Sequence, residues 1–111
     1  MAVTKATLAT AVLLAVRSGP YTADAAFADR VTAIVGSTIA QVNGMLAWWY
    51  GRQGHTVTAD QVENDLEAIA YHGSCMAVFA DLGRLERTQA SAAVYGSLVQ
   101  SFIKAYGGDR Q

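Results

Sequence analysis

The chain has 111 residues, which is one small domain with a thin core. Hydrophobic residues make up 52% and charged residues only 15%, against ~25% charged in ordinary soluble domains. The apolar surface therefore exceeds what one small core hides, and the composition points to self-association or a membrane. The net charge of −1, from 8 basic and 9 acidic residues, excludes the strongly basic footprint of an autonomous nucleic-acid binder. The single cysteine, Cys75, excludes an intramolecular disulfide and any multi-cysteine metal cage, and fits a reducing origin.

The apolar periodicity predicts an all-α fold, a small bundle of about four helices in a single domain over residues 1–111. The first helix is expected over Thr4–Arg17, with Leu8, Val12, Leu13 and Val16 inward. One lysine precedes this run and no A-x-A site follows it, so it reads as a helix rather than a secretory leader. Ser18-Gly19-Pro20 ends it, because a proline pushes its predecessor out of helical geometry.

The second helix is expected from Ala23 to Tyr50, with Thr22 as N-cap, Asp24 in the first turn and Gly51 or Gly54 as C-cap. It contains "VTAIVGSTIAQVNGMLAWWYG", twenty-one residues without a charge. That length suits a membrane span. The periodicity does not: Phe27, Val31, Ile34, Val35, Thr38 and Val42 recur at steps of three and four, while Arg30, Ser37, Gln41, Gly44 and Trp48 trace a polar line. One wet side marks an amphipathic core helix, whereas a span is apolar all round.

A loop, "RQGHTVT", leads to the third helix. "TADQ" has capping-box form, with Thr58 as N-cap and Gln61 closing the box, and Val57 and Val62 stand at staple positions. The helix is expected to run to about Leu85. Its first half is acidic outside, with Asp60, Glu63, Asp65 and Glu67, and "AIAYHGSCMAVFA" is apolar all round, which places it mid-bundle or in a subunit contact. A break is expected near Thr88. A fourth helix over Ala90–Tyr106 follows, with Val94, Leu98, Val99, Phe102 and Ile103 inward and a short tail at 107–111. No sustained period-two alternation predicts a strand. Gly36, Gly44, Gly73, Gly83 and Gly96 fall inside the predicted helices, and close helix–helix packing is the simplest account of them.

Chemistry is sparse. His72 and Cys75 share a helix face at i, i+3, a spacing that can hold two metal ligands. The bland reading, a buried thiol beside a backbone-bonded histidine, is preferred, because nothing supplies further ligands, an orienting third group or an oxyanion site. Glu63, Asp65 and Glu67 do not share one face and read as a solvated helix start. Phosphate loops, nucleophile elbows and zinc signatures are missing. No enzyme activity and no cofactor is expected. Arginine and aromatic residues together make interface hot spots. Arg52, Arg84 and Arg87 are candidates of this kind. Trp48 and Trp49 point about 100° apart on a helix, and Trp48, on the polar line, is the expected contact residue.

The order of parts resembles the small helical head–tail connector (adaptor) proteins of tailed bacteriophages. A short helix and loop precede a long helix ending in "AWWYGRQ", where Tyr50, Gly51 and Arg52 match the family's tyrosine-glycine-arginine-like turn. "ADQVENDLEAIAYHGSCMAVFADL" follows, acidic and then apolar, before a last helix and a polar tail. The short loop Gln53–Val57 and the apolar third helix depart from the pattern. The resemblance implies a structural virion protein of the neck, made in the host cytoplasm. It would form a homo-oligomeric ring, usually of about twelve copies, that docks onto the portal protein, extends the DNA channel and meets other neck or tail proteins. It implies neither sequence-specific nucleic-acid binding nor a membrane. The C-terminal segment, here Phe102 to Gln111 with Tyr106 and Arg110, would reach into the portal. A ring subunit buries surface on both sides, which would account for the surplus of apolar residues. The alternatives are a holin-like membrane protein and a helical ligand-binding or enzyme module around His72 and Cys75.

Overall fold

Thr4 sets the entry to the first helix: its Oγ1 accepts the Thr7 amide at 3.2 Å, satisfying one of the unpaired donors of the first turn. In the computed structural model, which describes residues 2–16, 25–51 and 61–106, the order is β1 (Ala2–Thr4), α1 (Lys5–Val16), α2 (Ala25–Gly51), β2 (Gln61–Glu63), α3 (Asn64–Asp81) and α4 (Leu85–Tyr106). The fold is the expected small all-α bundle, elongated to 47 × 26 × 17 Å. α1, α2 and α3 pack on one another, while α4 lies chiefly on α3 and touches α2 only lightly. Among the described residues no helix is long and apolar enough to cross a membrane.

The core follows the predicted periodicity closely. α1 buries Leu8, Ala9, Val12 and Val16; α2 buries Val31, Val35, Thr38 and Val42. It also buries Ile39 and Asn43, which the one-stripe reading omits. Two neighbours, α1 and α3, flank α2, so its buried arc is wider than a single stripe. α3 buries Leu66, Ile69, Ala70, Ser74, Cys75, Val78 and Phe79 and contacts every other helix, as its apolar second half requires.

Two expectations are corrected. Gln61 does not lie in the first turn of α3. Gln61–Glu63 instead pairs antiparallel with Ala2–Thr4, in the register Ala2↔Glu63, Val3↔Val62 and Thr4↔Gln61, and α3 starts at Asn64. β-branched Val3 and Val62 sit opposite each other, and Val62 is fully buried. Three-residue strands are too short to show alternation, and their pairing is non-local, so no local pattern announces them. Thr58 and Val57 lie outside the described residues.

The second correction concerns the break between α3 and α4, which falls at Gly83 rather than near Thr88. The Arg84 amide donates to the Phe79 carbonyl at 2.9 Å and the Gly83 amide to the Ala80 carbonyl at 3.1 Å. This is the paired bonding of a Schellman cap, and Gly83 takes the left-handed conformation it needs, at φ 73°. The Thr88 amide then bonds the Arg84 carbonyl at 2.9 Å, opening α4. Gly83→Ala forces a Cβ into that conformation. It is expected to cost about 1–2 kcal/mol and to lower the melting temperature by about 4 °C or more, read by thermal circular dichroism.

Candidate functional site

The sequence candidates scatter rather than converge. Phe102 is buried at 6% exposure and packs into the core. Arg84 and Arg87 stand at the α3–α4 corner, with exposed Leu85 (68%) between them. The Arg87 guanidinium carbon lies 5.6 Å from the Phe79 ring centroid, a cation–π distance that holds the arginine against the bundle. The corner carries a shallow apolar groove of about 320 Å³ lined by Ala80, Gly83, Arg84, Leu85 and Thr88. Trp48 and Tyr50 lie in the last turns of α2 and Tyr106 ends α4, but their side chains, like Arg52 and Arg110 altogether, lie outside the described residues.

Around Cys75 the structure favours packing over chemistry. The thiol is 4% exposed, and burial pushes it above its ordinary range, only partly offset by a hydrogen bond with Tyr71 one turn earlier. Burial likewise raises the Tyr71 phenol, with Cys75 adding to the effect. A reactive cysteine needs the opposite, an exposed thiol with a lowered pKa. His72 is half-buried and meets Tyr71 edge to face, with centroids 4.9 Å apart at 84°. Among the described residues no three His, Cys, Asp or Glu side chains gather as a metal group would need. Native protein is therefore expected to leave Cys75 unmodified by a thiol-reactive dye over minutes, with full reaction in denaturant. Rapid labelling of folded protein would revive thiol chemistry there.

One ion pair ties the elements that carry these groups. Arg30 on α2 grips Asp81 at the end of α3, with Nε donating to Oδ2 and a terminal nitrogen to Oδ1, both at 2.5 Å. This fork is the favoured geometry for arginine and carboxylate. The hydrogen bond to Arg30, helped by its charge, holds the Asp81 carboxyl below its ordinary range. A lowered carboxylate pKa contributes stability above the unfolded value, which is lost as pH falls through the folded one. Asp81→Asn is thus expected to lower the urea midpoint at pH 6 and to matter less near pH 2, below the ordinary value of about 4. An equal effect at both pH values would remove the ion pair as its cause.

No family model, curated protein or solved structure matches this chain. What the geometry offers instead is a surface. Among its described side chains α4 fully buries Phe102 alone, and half-buries Leu98, Val99 and Ile103 against the core, as expected. Val94, expected inward, is 42% exposed, because α4 packs chiefly on α3 and touches α2 only lightly. Its whole outer side, from Glu86 through Ala90, Ala93, Ser97 and Ser101 to Lys104, is exposed. Residue-by-residue reading missed Glu86 and Lys104; the signal available was their shared helical face. It also missed Tyr71, which the i, i+4 spacing to Cys75 would have placed.

Proposed function

We propose that the chain is a structural subunit of an oligomeric assembly, specifically a head–tail connector ring of a tailed bacteriophage that docks onto the portal and extends the DNA channel. The single observation behind this is α4, a 22-residue helix with one side on α3 and the other bare. Exposed Leu14 (64%) and Leu85 (68%) add apolar surface at other points of the body. An elongated helical body with uncovered helix surface is what a repeated neighbour contact needs. The element order ending in Tyr50-Gly51-Arg52 gives the phage form of the reading. In this reading Arg84, Arg87, Trp48, Tyr50, Arg52, Tyr106 and Arg110 meet neighbouring copies, the portal or other neck proteins, and the protein resides in the virion neck. It needs no catalytic residue and no cofactor.

The test is sedimentation of the purified chain with and without a candidate portal ring, followed by electron microscopy of any complex. Co-sedimentation in a fixed stoichiometry, with a ring visible beneath the portal, is the expected result. A chain that ignores the portal at micromolar concentration sinks the connector reading.

A further inference from the structure

The outer face of α4 has a charge arrangement that specifies its own partner. Glu86 stands in the first turn and Lys104 in the last, both exposed. They are roughly five helical turns, about 27 Å, apart, a separation that returns both to the same line along the helix. Between them that line carries mostly small side chains, Ala90, Ala93, Ser97 and Ser101, with the longer Gln100 beside them near Lys104, all exposed. Beside it, a Cβ on Gly96 would meet nothing within 4 Å. Small residues let two helix backbones approach closely, and an acid at one end with a base at the other fits a helix running the opposite way.

We propose that α4 is a self-docking surface: two copies of this chain pair through their α4 helices, antiparallel and about a two-fold axis. Each Glu86 then meets the Lys104 of the other copy. A two-fold axis perpendicular to the helices keeps a residue on the same lateral side while reversing the chain direction. Glu86 and Lys104 share that side, so both ion pairs form at once. A parallel pairing instead sets Glu86 beside Glu86 and Lys104 beside Lys104, which repels at both ends. The contact is isologous, the commonest form of self-association. It covers the surface that α3 leaves bare and opposes the two helix dipoles.

This goes beyond the connector reading. A two-fold contact closes at two copies and cannot by itself build a cyclic ring of about twelve, so it belongs to the chain before it docks. Entering a ring through α4 would require the pair to come apart first.

The test is sedimentation equilibrium of wild-type protein, Glu86→Lys, Lys104→Glu and the double exchange, with no portal present. Both substitutions are at solvent-exposed positions, and circular dichroism checks that each of the three variants is folded. Wild type is expected as a dimer that weakens with salt. Each single reversal turns two attractions into two repulsions and is expected to weaken dimerisation about tenfold, and the double exchange to restore it. A wild type that stays monomeric to high micromolar concentration overturns the proposal. So does a dimer indifferent to both reversals, or a double exchange no better than the singles. Because no portal enters the experiment, its failure leaves the connector reading standing, and failure of the portal experiment leaves this one standing.

Discussion

Gly73→Leu is expected to unseat α4 and to cost about 3 kcal/mol, at the upper end of what overpacking a core costs. A Cβ at Gly73 would stand 2.9 Å from the Tyr95 Cε1 on α4 and 3.2 Å from the Thr38 Cγ2 on α2. The glycine thus sits where side chains of α2 and α4 both press on α3. Thr38 is buried, so it cannot swing away into solvent. Tyr95 is the part that yields, and moving it lifts α4 from α3. Hydrogen exchange is the sensitive measurement, because α4 amides should lose protection before those of α1 and α2. Gly73→Ala separates clash from helix propensity. Alanine gains up to ~1 kcal/mol as a helix former and loses a comparable amount to the short contact. Its stability should therefore stay near wild type. Gly44→Ala and Gly96→Ala have the gain without the clash, since a Cβ at either meets nothing within 4 Å. Both should raise the melting temperature. If Gly73→Leu proves as stable as Gly73→Ala, α4 does not sit where the structure places it.

Ile39→Ala should cost about 2–5 kcal/mol, the range for truncating a buried aliphatic side chain. Ile39 is fully buried within α2 and lies in the one continuous core cluster. A chain this size carries a total stability of only about 5–15 kcal/mol, so one such cavity removes a large share of it. Leu14→Ala is the matched comparison. Both are large aliphatics in the middle of a helix, but Leu14 is 64% exposed. Its truncation should change stability by no more than about 0.5 kcal/mol. Urea midpoints for the pair decide the matter, and equal effects would contradict the burial pattern.

The same two residues show where local reading stops. In "LATAVLLAV", Leu8, Val12 and Val16 keep a helical step and their burial was legible. Ile39 keeps the same steps, four after Val35 and three before Val42, whereas Asn43 stands off that stripe and is buried because two helices flank α2. The glycines divide in the same way. One account, close packing, was offered for all five, but it holds for Gly73. Gly36 meets the Lys5 side chain at 3.1 Å, Gly83 is a cap, and Gly44 and Gly96 face open space.

By itself the sequence determined the helical class, the wet and dry sides of α2 and the central place of α3, because each depends on residue spacing along one helix. Four helices and their approximate order were legible for the same reason. Only the tertiary structure decided the β1–β2 ribbon, the cap at Gly83 as the end of α3, the exposure of Val94 and the bare side of α4. Each of these depends on which element lies alongside which. Ala2–Thr4 and Gln61–Glu63 are far apart in the chain, and their pairing goes with the packing of α1 against α3. α4 is bare because it reaches α3 and barely α2, a matter of helix placement that no periodicity encodes.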